Sequence, residues 1–68
     1  MTIQSILFDK KIWSPKSSSV WLMEHKLHPI KKMHETNNYY RYRLLQPDKT
    51  KKYTTYNIQN GIKLIMLR

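Results

Sequence analysis

Apolar residues along this chain follow three rhythms in succession: a short continuous run, a stripe at helical spacing, and then strict alternation. The run is QSILF, residues 4–8, whose β-branched and apolar content suits a buried strand. From Ser14 onward the spacing lengthens. Ser18, Trp21, Leu22 and His25 recur at helical intervals, and Val20, Met23 and Leu27 widen the apolar face. Ser14 is a good N-cap, because its hydroxyl can accept an orphan amide of the first turn. Pro15 loses nothing by lacking an N–H at the first helical position. Pro29 disfavours helical backbone in the residue before it, so the pattern predicts a helix over residues 15–27.

Beyond Pro29 the period shortens to two. IKKMHE (30–35) and YYRYRLL (39–45) read as strands around the turn TNN, whose asparagines tolerate left-handed geometry. Alternation puts Tyr40, Tyr42 and Leu44 on one face of the second strand, with Tyr39, Arg41, Arg43 and Leu45 on the other. QPDKTKK is a loop, signalled by Pro47 and Asp48. KYTTYNI and IKLIMLR form a last hairpin about QNG, where Asn60 and Gly61 supply positive φ. Gly61 is the only glycine in the protein, which points to a backbone requirement there. The predicted fold is α+β, in the order β-α-β-β-β-β. One helix lies on an antiparallel sheet of three to five strands, the arrangement that buries these stripes.

A length of 68 residues allows one domain, 1–68, with a small core. The chain has no cysteine, so neither disulfides nor thiolate–zinc sites can staple it, and an intracellular setting is expected. MTIQSILFDKK carries its charges after the apolar stretch, unlike a signal peptide. IKLIMLR falls far short of the roughly 20 residues that span a bilayer. No membrane association is expected.

Charge then changes the picture. Thirteen Lys and Arg against four Asp and Glu give a net charge of +9. Such an excess sets up a long-range positive field that attracts polyanions. The basic residues are distributed as Lys10 and Lys11, Lys31 and Lys32, Arg41 and Arg43, and a run from Lys49 to Lys52. They are interleaved with apolar positions, unlike a disordered basic arm.

A longer pattern links these pieces. Trp13 and Ser14 open the helix, Trp21 and Leu22 are followed by His25 near its end, and Pro29 comes next. Glu35, Thr36, Asn38 and Tyr39 make an acidic–Thr–x–Asn–Tyr turn into Tyr40, Arg41, Tyr42 and Arg43. Pro47, Asp48, Thr54, Gly61 and Ile62 complete it. In these residues the chain resembles, over nearly its whole length, a small domain that recurs in tailed phages and large nucleocytoplasmic DNA viruses. The resemblance implies this fold and a viral origin, in an infected cell or in the particle, rather than an activity. The Lys-, Asn- and Ile-rich composition suits an AT-rich large DNA virus. Two positions depart from the pattern: Lys26 stands where glycine is frequent, and His34 where a further acid is frequent.

Catalytic constellations are missing. A phosphate-cradling glycine loop needs several glycines, and the four carboxylates form no obvious pair. No enzyme activity, cofactor or small-molecule substrate is expected. His25 and His28, with His34 and Glu24 or Glu35, match no recognised zinc spacing, so no metal site is expected. Trp13 and Trp21 read as core anchors, since large rings dominate the energetics of a small core.

The leading functional reading is a nucleic-acid-binding surface. Arg41, Arg43 and Tyr39 would stand on an open sheet face flanked by Lys31, Lys32, Lys51 and Lys52, with Lys10 and Lys11 as further cations. Arginine forks suit phosphate oxygens, lysines add point charge, and rings favour single strands by stacking. Nothing specifies sequence readout, and DNA is preferred to RNA as the partner. The alternative is a virion structural or adaptor module that binds an acidic viral protein surface or forms a homo-oligomer. An exposed strand such as the last one would serve it by edge pairing.

Overall fold

Strand β1 (Thr2–Asp9) occupies the middle of the sheet in a computed structural model that describes residues 2–46 and 50–67. Helix α1 (Pro15–Glu24) follows it. Then come β2 (His34–Glu35), β3 (Tyr39–Arg43), β4 (Tyr53–Ile58) and β5 (Ile62–Leu67). Every pairing is antiparallel, and the spatial order is β2-β3-β1-β5-β4. The domain is therefore α+β with the predicted element order. The loop signal at Pro47 and Asp48 and the terminal Arg68 lie outside the described residues.

The core forms where α1 crosses the sheet. Ile6 and Phe8 of β1, Tyr42 of β3, Ile62 of β5 and Leu22 of the helix are all buried and in contact. Phe8 has no exposed surface and meets three rings edge-on: Trp13 at 5.1 Å, Trp21 at 5.5 Å and Tyr42 at 5.6 Å between centroids. Both tryptophans thus pack as core anchors. The pairing of Phe8 with Tyr40 and of Ile6 with Tyr42 sends the even positions of β3 toward the helix, as the alternation predicts.

A bulge adjusts β1. Ile3 pairs with Met66 and Ser5 with Ile65, which leaves Gln4 as an extra residue. The extra residue lets Ile3 pack against the core alongside Ile6, and it turns the Gln4 side chain into a hollow on the opposite face. There Gln4 is fully tied. Its carbonyl accepts from Leu44 N–H at 2.8 Å and Leu45 N–H at 3.2 Å, its amide donates to Leu45 O at 2.9 Å, and the Ser5 hydroxyl donates to Oε1.

The helix starts where expected and ends earlier. Ser14 Oγ accepts from Ser17 N–H at 3.1 Å, and Ser17 Oγ accepts from Ser14 N–H at 2.9 Å, a reciprocal capping box. At the other end Lys26 has a left-handed φ of 57°. Leu27 N–H bonds to Leu22 O at 2.9 Å and Lys26 N–H to Met23 O at 3.1 Å. This is a Schellman cap, with lysine at the position glycine usually takes. Leu27 then folds back onto the core. Its apolar character reflects that contact, not a further helical turn, so the predicted extent to residue 27 is corrected to Glu24. The apolar face is also narrower than predicted. Ser18 and Leu22 are buried and Trp21 half-buried, but Val20 and Met23 are 45% and 75% exposed. Small Ser18 lets the helix approach until its Oγ lies 2.7 Å from the Tyr42 hydroxyl.

Two strand expectations change. Residues 30–35 were expected to pair throughout, but only His34 and Glu35 do, opposite Arg41 and Tyr40. In that register Arg43 would face residue 32, yet it is Ile30 N–H that bonds to Arg43 O, at 2.9 Å. The slip of two residues makes 31–33 an arch outside β3. The last strand, expected at an exposed edge, lies between β1 and β4 instead, and β4 is the edge. Its hairpin turns as predicted, with φ of 62° at Asn60 and 71° at Gly61. A Cβ at Gly61 would also stand 2.9 Å from both Asp9 Cβ and Ile12 Cδ1. Trp13 Nε1–H donates to Asn60 O at 2.6 Å and locks this turn to the helix entrance.

Two substitutions test the helix ends. Ser14→Ala should lower stability by about 1 kcal/mol through loss of the cap; an unchanged denaturant midpoint would mean that the helix begins elsewhere. Lys26→Gly should instead raise stability by about 1 kcal/mol, because glycine escapes the Cβ clash of the left-handed region. A lower midpoint for that variant would rule out the left-handed cap.

Candidate nucleic-acid interface

The odd positions of β3 form the site, because the even ones are held by the core. Tyr39, Arg41 and Arg43 alternate with buried Tyr42 and half-buried Tyr40, and so project from the face that carries no helix. The turn before β3 sets their start. Thr36 N–H donates to Tyr39 O at 2.8 Å, and the Thr36 hydroxyl accepts from Tyr39 N–H at 3.0 Å. Asn37 and Asn38 make the tip between them, where a turn is expected, although neither takes the left-handed φ that asparagine tolerates.

On the outer side, the arch of residues 31–33 brings lysines to these arginines. Lys31, Lys32, His34, Arg41 and Arg43 together line a cleft of about 210 Å³. Among the described residues no carboxylate lines it, so the fields of its lysines and arginines add. Arg41 sits between His34 on β2 and Leu7 on β1. It also lines a second hollow, of about 250 Å³, with Gln4, Leu7, Tyr53 and Ile65. Its Nε is buried without a hydrogen-bond partner among the described residues.

The other expected cations lie elsewhere. Lys10 and Lys11 stand at the opposite end of β3, around a hollow shared with Asp9, Asn37, Asn38 and Tyr39. Lys10 is not a free cation: its Nζ is 2.6 Å from Glu35 Oε2 and 5.5 Å from the Tyr40 ring centroid. Lys51 and Lys52 are exposed before β4, at the far edge of the sheet from β2. β4 is three inter-strand steps from β3, and Tyr53, which follows Lys52, lines the second hollow with Arg41. Of the four lysines expected to flank the arginines, Lys31 and Lys32 line their cleft, while Lys51 and Lys52 precede Tyr53 of that second hollow in the chain.

Sequence reasoning missed two members of this face. His34, weighed above as a zinc ligand and noted as a departure from an acidic pattern, is directly opposite Arg41. Lys63 places its Nζ 4.9 Å from the Tyr39 ring centroid. The alternation of β5, with Ile62 and Leu64 toward the core, already carried the signal for Lys63. One face of the Tyr39 ring is therefore engaged by an ammonium.

His25, weighed above as a metal ligand, stacks on Trp21 at 3.8 Å and 20°, with Nδ1 2.8 Å from Trp21 O. Among the described residues, no group of three or more His, Asp or Glu side chains is placed to hold a metal ion. Among them, too, no helix is long and apolar enough to cross a membrane. No protein-family model, curated protein or solved structure matches the chain. The functional reading therefore rests on the geometry.

Proposed function

We propose that this chain is a small basic viral nucleic-acid-binding protein that holds phosphates on the helix-free face of its sheet without reading sequence. The viral part of this reading rests on the resemblance described above. The observation that carries the binding part is the cleft of Lys31, Lys32, His34, Arg41 and Arg43, which has no carboxylate in its lining among the described residues. Guanidinium forks meet phosphate oxygens in pairs, and ammonium groups add charge without geometric demand. Tyr39, half-buried at the far end of the same strand, offers a ring for an unpaired base. Sequence readout needs an element that reaches base edges in a groove, and this face presents phosphate-directed groups instead.

A second reading, a virion adaptor or self-associating module, is favoured by β4. This edge strand of six residues has no charge and no proline, the features that usually blunt an edge, and its Ile58 is exposed. Salt dependence separates the two readings.

Arg41→Ala with Arg43→Ala should weaken binding to DNA and flatten the log–log salt slope, by about 1.8 on duplex or about 1.4 on single strands. Circular dichroism should show the variant folded, since neither arginine belongs to the core. Binding equal to the parent at every salt concentration would pass the lead to the adaptor reading. Tyr39→Ala should cost about 1–3 kcal/mol on single strands and leave the salt slope nearly unchanged. A loss equal on duplex and single strands would show that the ring does not stack on bases.

A further inference from the structure

The cleft outside β3 concentrates more positive charge than a single backbone phosphate can match. Two lysines and two arginines, with His34 beside them, surround about 210 Å³. A phosphodiester within a strand carries one negative charge. A terminal phosphate monoester carries about −1.5 to −2 at neutral pH and presents three strong acceptor oxygens. Each additional anionic charge relieves the mutual repulsion of the lining groups, so the monoester gains more from this cavity than the diester does.

Size and direction agree with charge. Pockets that enclose whole small molecules run from roughly 300 to 1,000 Å³, so this cavity suits a phosphate group better than an entire nucleotide. The cations also converge from two sides, Lys31 and Lys32 from the arch and Arg41 and Arg43 from β3. Such an arrangement surrounds a group that ends there, whereas a passing backbone is served by cations in a row.

From this the geometry points to a phosphate-monoester pocket, occupied by the terminal phosphate of a nucleic-acid strand. The strand leaves across Arg41 toward the hollow of Gln4, Leu7 and Ile65 on the same face. This inference rests on the nucleic-acid reading and narrows it from backbone binding to end binding.

The test is fluorescence anisotropy with one single-stranded oligonucleotide in three forms: 5′-phosphorylated, 3′-phosphorylated, and hydroxyl at both ends. Pyrophosphate and a nucleoside monophosphate serve as competitors. One phosphorylated form should bind about tenfold or more tightly than the hydroxyl form, the effect of one or more charged hydrogen bonds. Both competitors should erase that advantage. Lys31→Gln with Lys32→Gln should also erase it; both side chains are exposed outside regular structure, so the fold does not depend on them. Equal affinity for all three forms overturns end recognition and leaves backbone binding standing. Direct binding of the mononucleotide with none to any oligonucleotide supports the pocket and overturns the strand as its source. No binding of any probe overturns both readings, and an end preference that survives in the lysine variant overturns the assignment to this cleft.

Discussion

Phe8 is the residue on which the other parts converge. It sits on the central strand and is closed by edge-on contacts with Trp13, Trp21 and Tyr42. Those rings come from the helix entrance, the helix itself and β3, so one side chain ties three segments together. Edge-to-face pairs add about 0.5–1.5 kcal/mol each beyond the area they bury, and truncating such a ring in a core costs about 3–5 kcal/mol. A domain of this size has a net stability of only a few kcal/mol. Much of the fold is therefore conditional on this cluster.

The same cluster decides where charge goes. Tyr42 packs against Phe8 and meets Ser18 through its hydroxyl, which sets the register and facing of β3. A slip of one residue would drive both arginines toward the helix and expose the tyrosines. Core packing on one face thus enforces the basic display on the other. The helix covers one side of the sheet, and among the described residues no second layer covers the other. Arg41 and Arg43 remain near solvent, where charges avoid the cost of full desolvation.

Gathering cations around one cavity works against folding, so the segments that carry them must be held by other contacts. The Ile30–Arg43 bond and the Gln4 hydrogen bonds pin the strand end and the arch near the cleft. The three described acidic residues lie elsewhere: Asp9 Oδ1 accepts from Lys11 N–H, Glu35 pairs with Lys10, and Glu24 lines a hollow beside the helix.

Features decided by neighbours along the chain were legible in the sequence. Ser14 and Pro15 mark the helix start, Asn60 and Gly61 supply the left-handed turn, and alternation puts Arg41 and Arg43 opposite Tyr40 and Tyr42. Each depends on local sterics and hydrogen bonding within a few residues. Three features were decided by the tertiary structure alone. The helix stops at Glu24 because Leu27 gains more by folding onto the core than by another turn. Gln4 forms a bulge because both Ile3 and Ile6 must reach the helix side. Lys31 and Lys32 share a cleft with the arginines because of strand order and a two-residue slip beside β3. Periodicity records which face a residue takes within its own strand. It carries no information about which strand lies next to it, and the composition of the basic cleft depends on that.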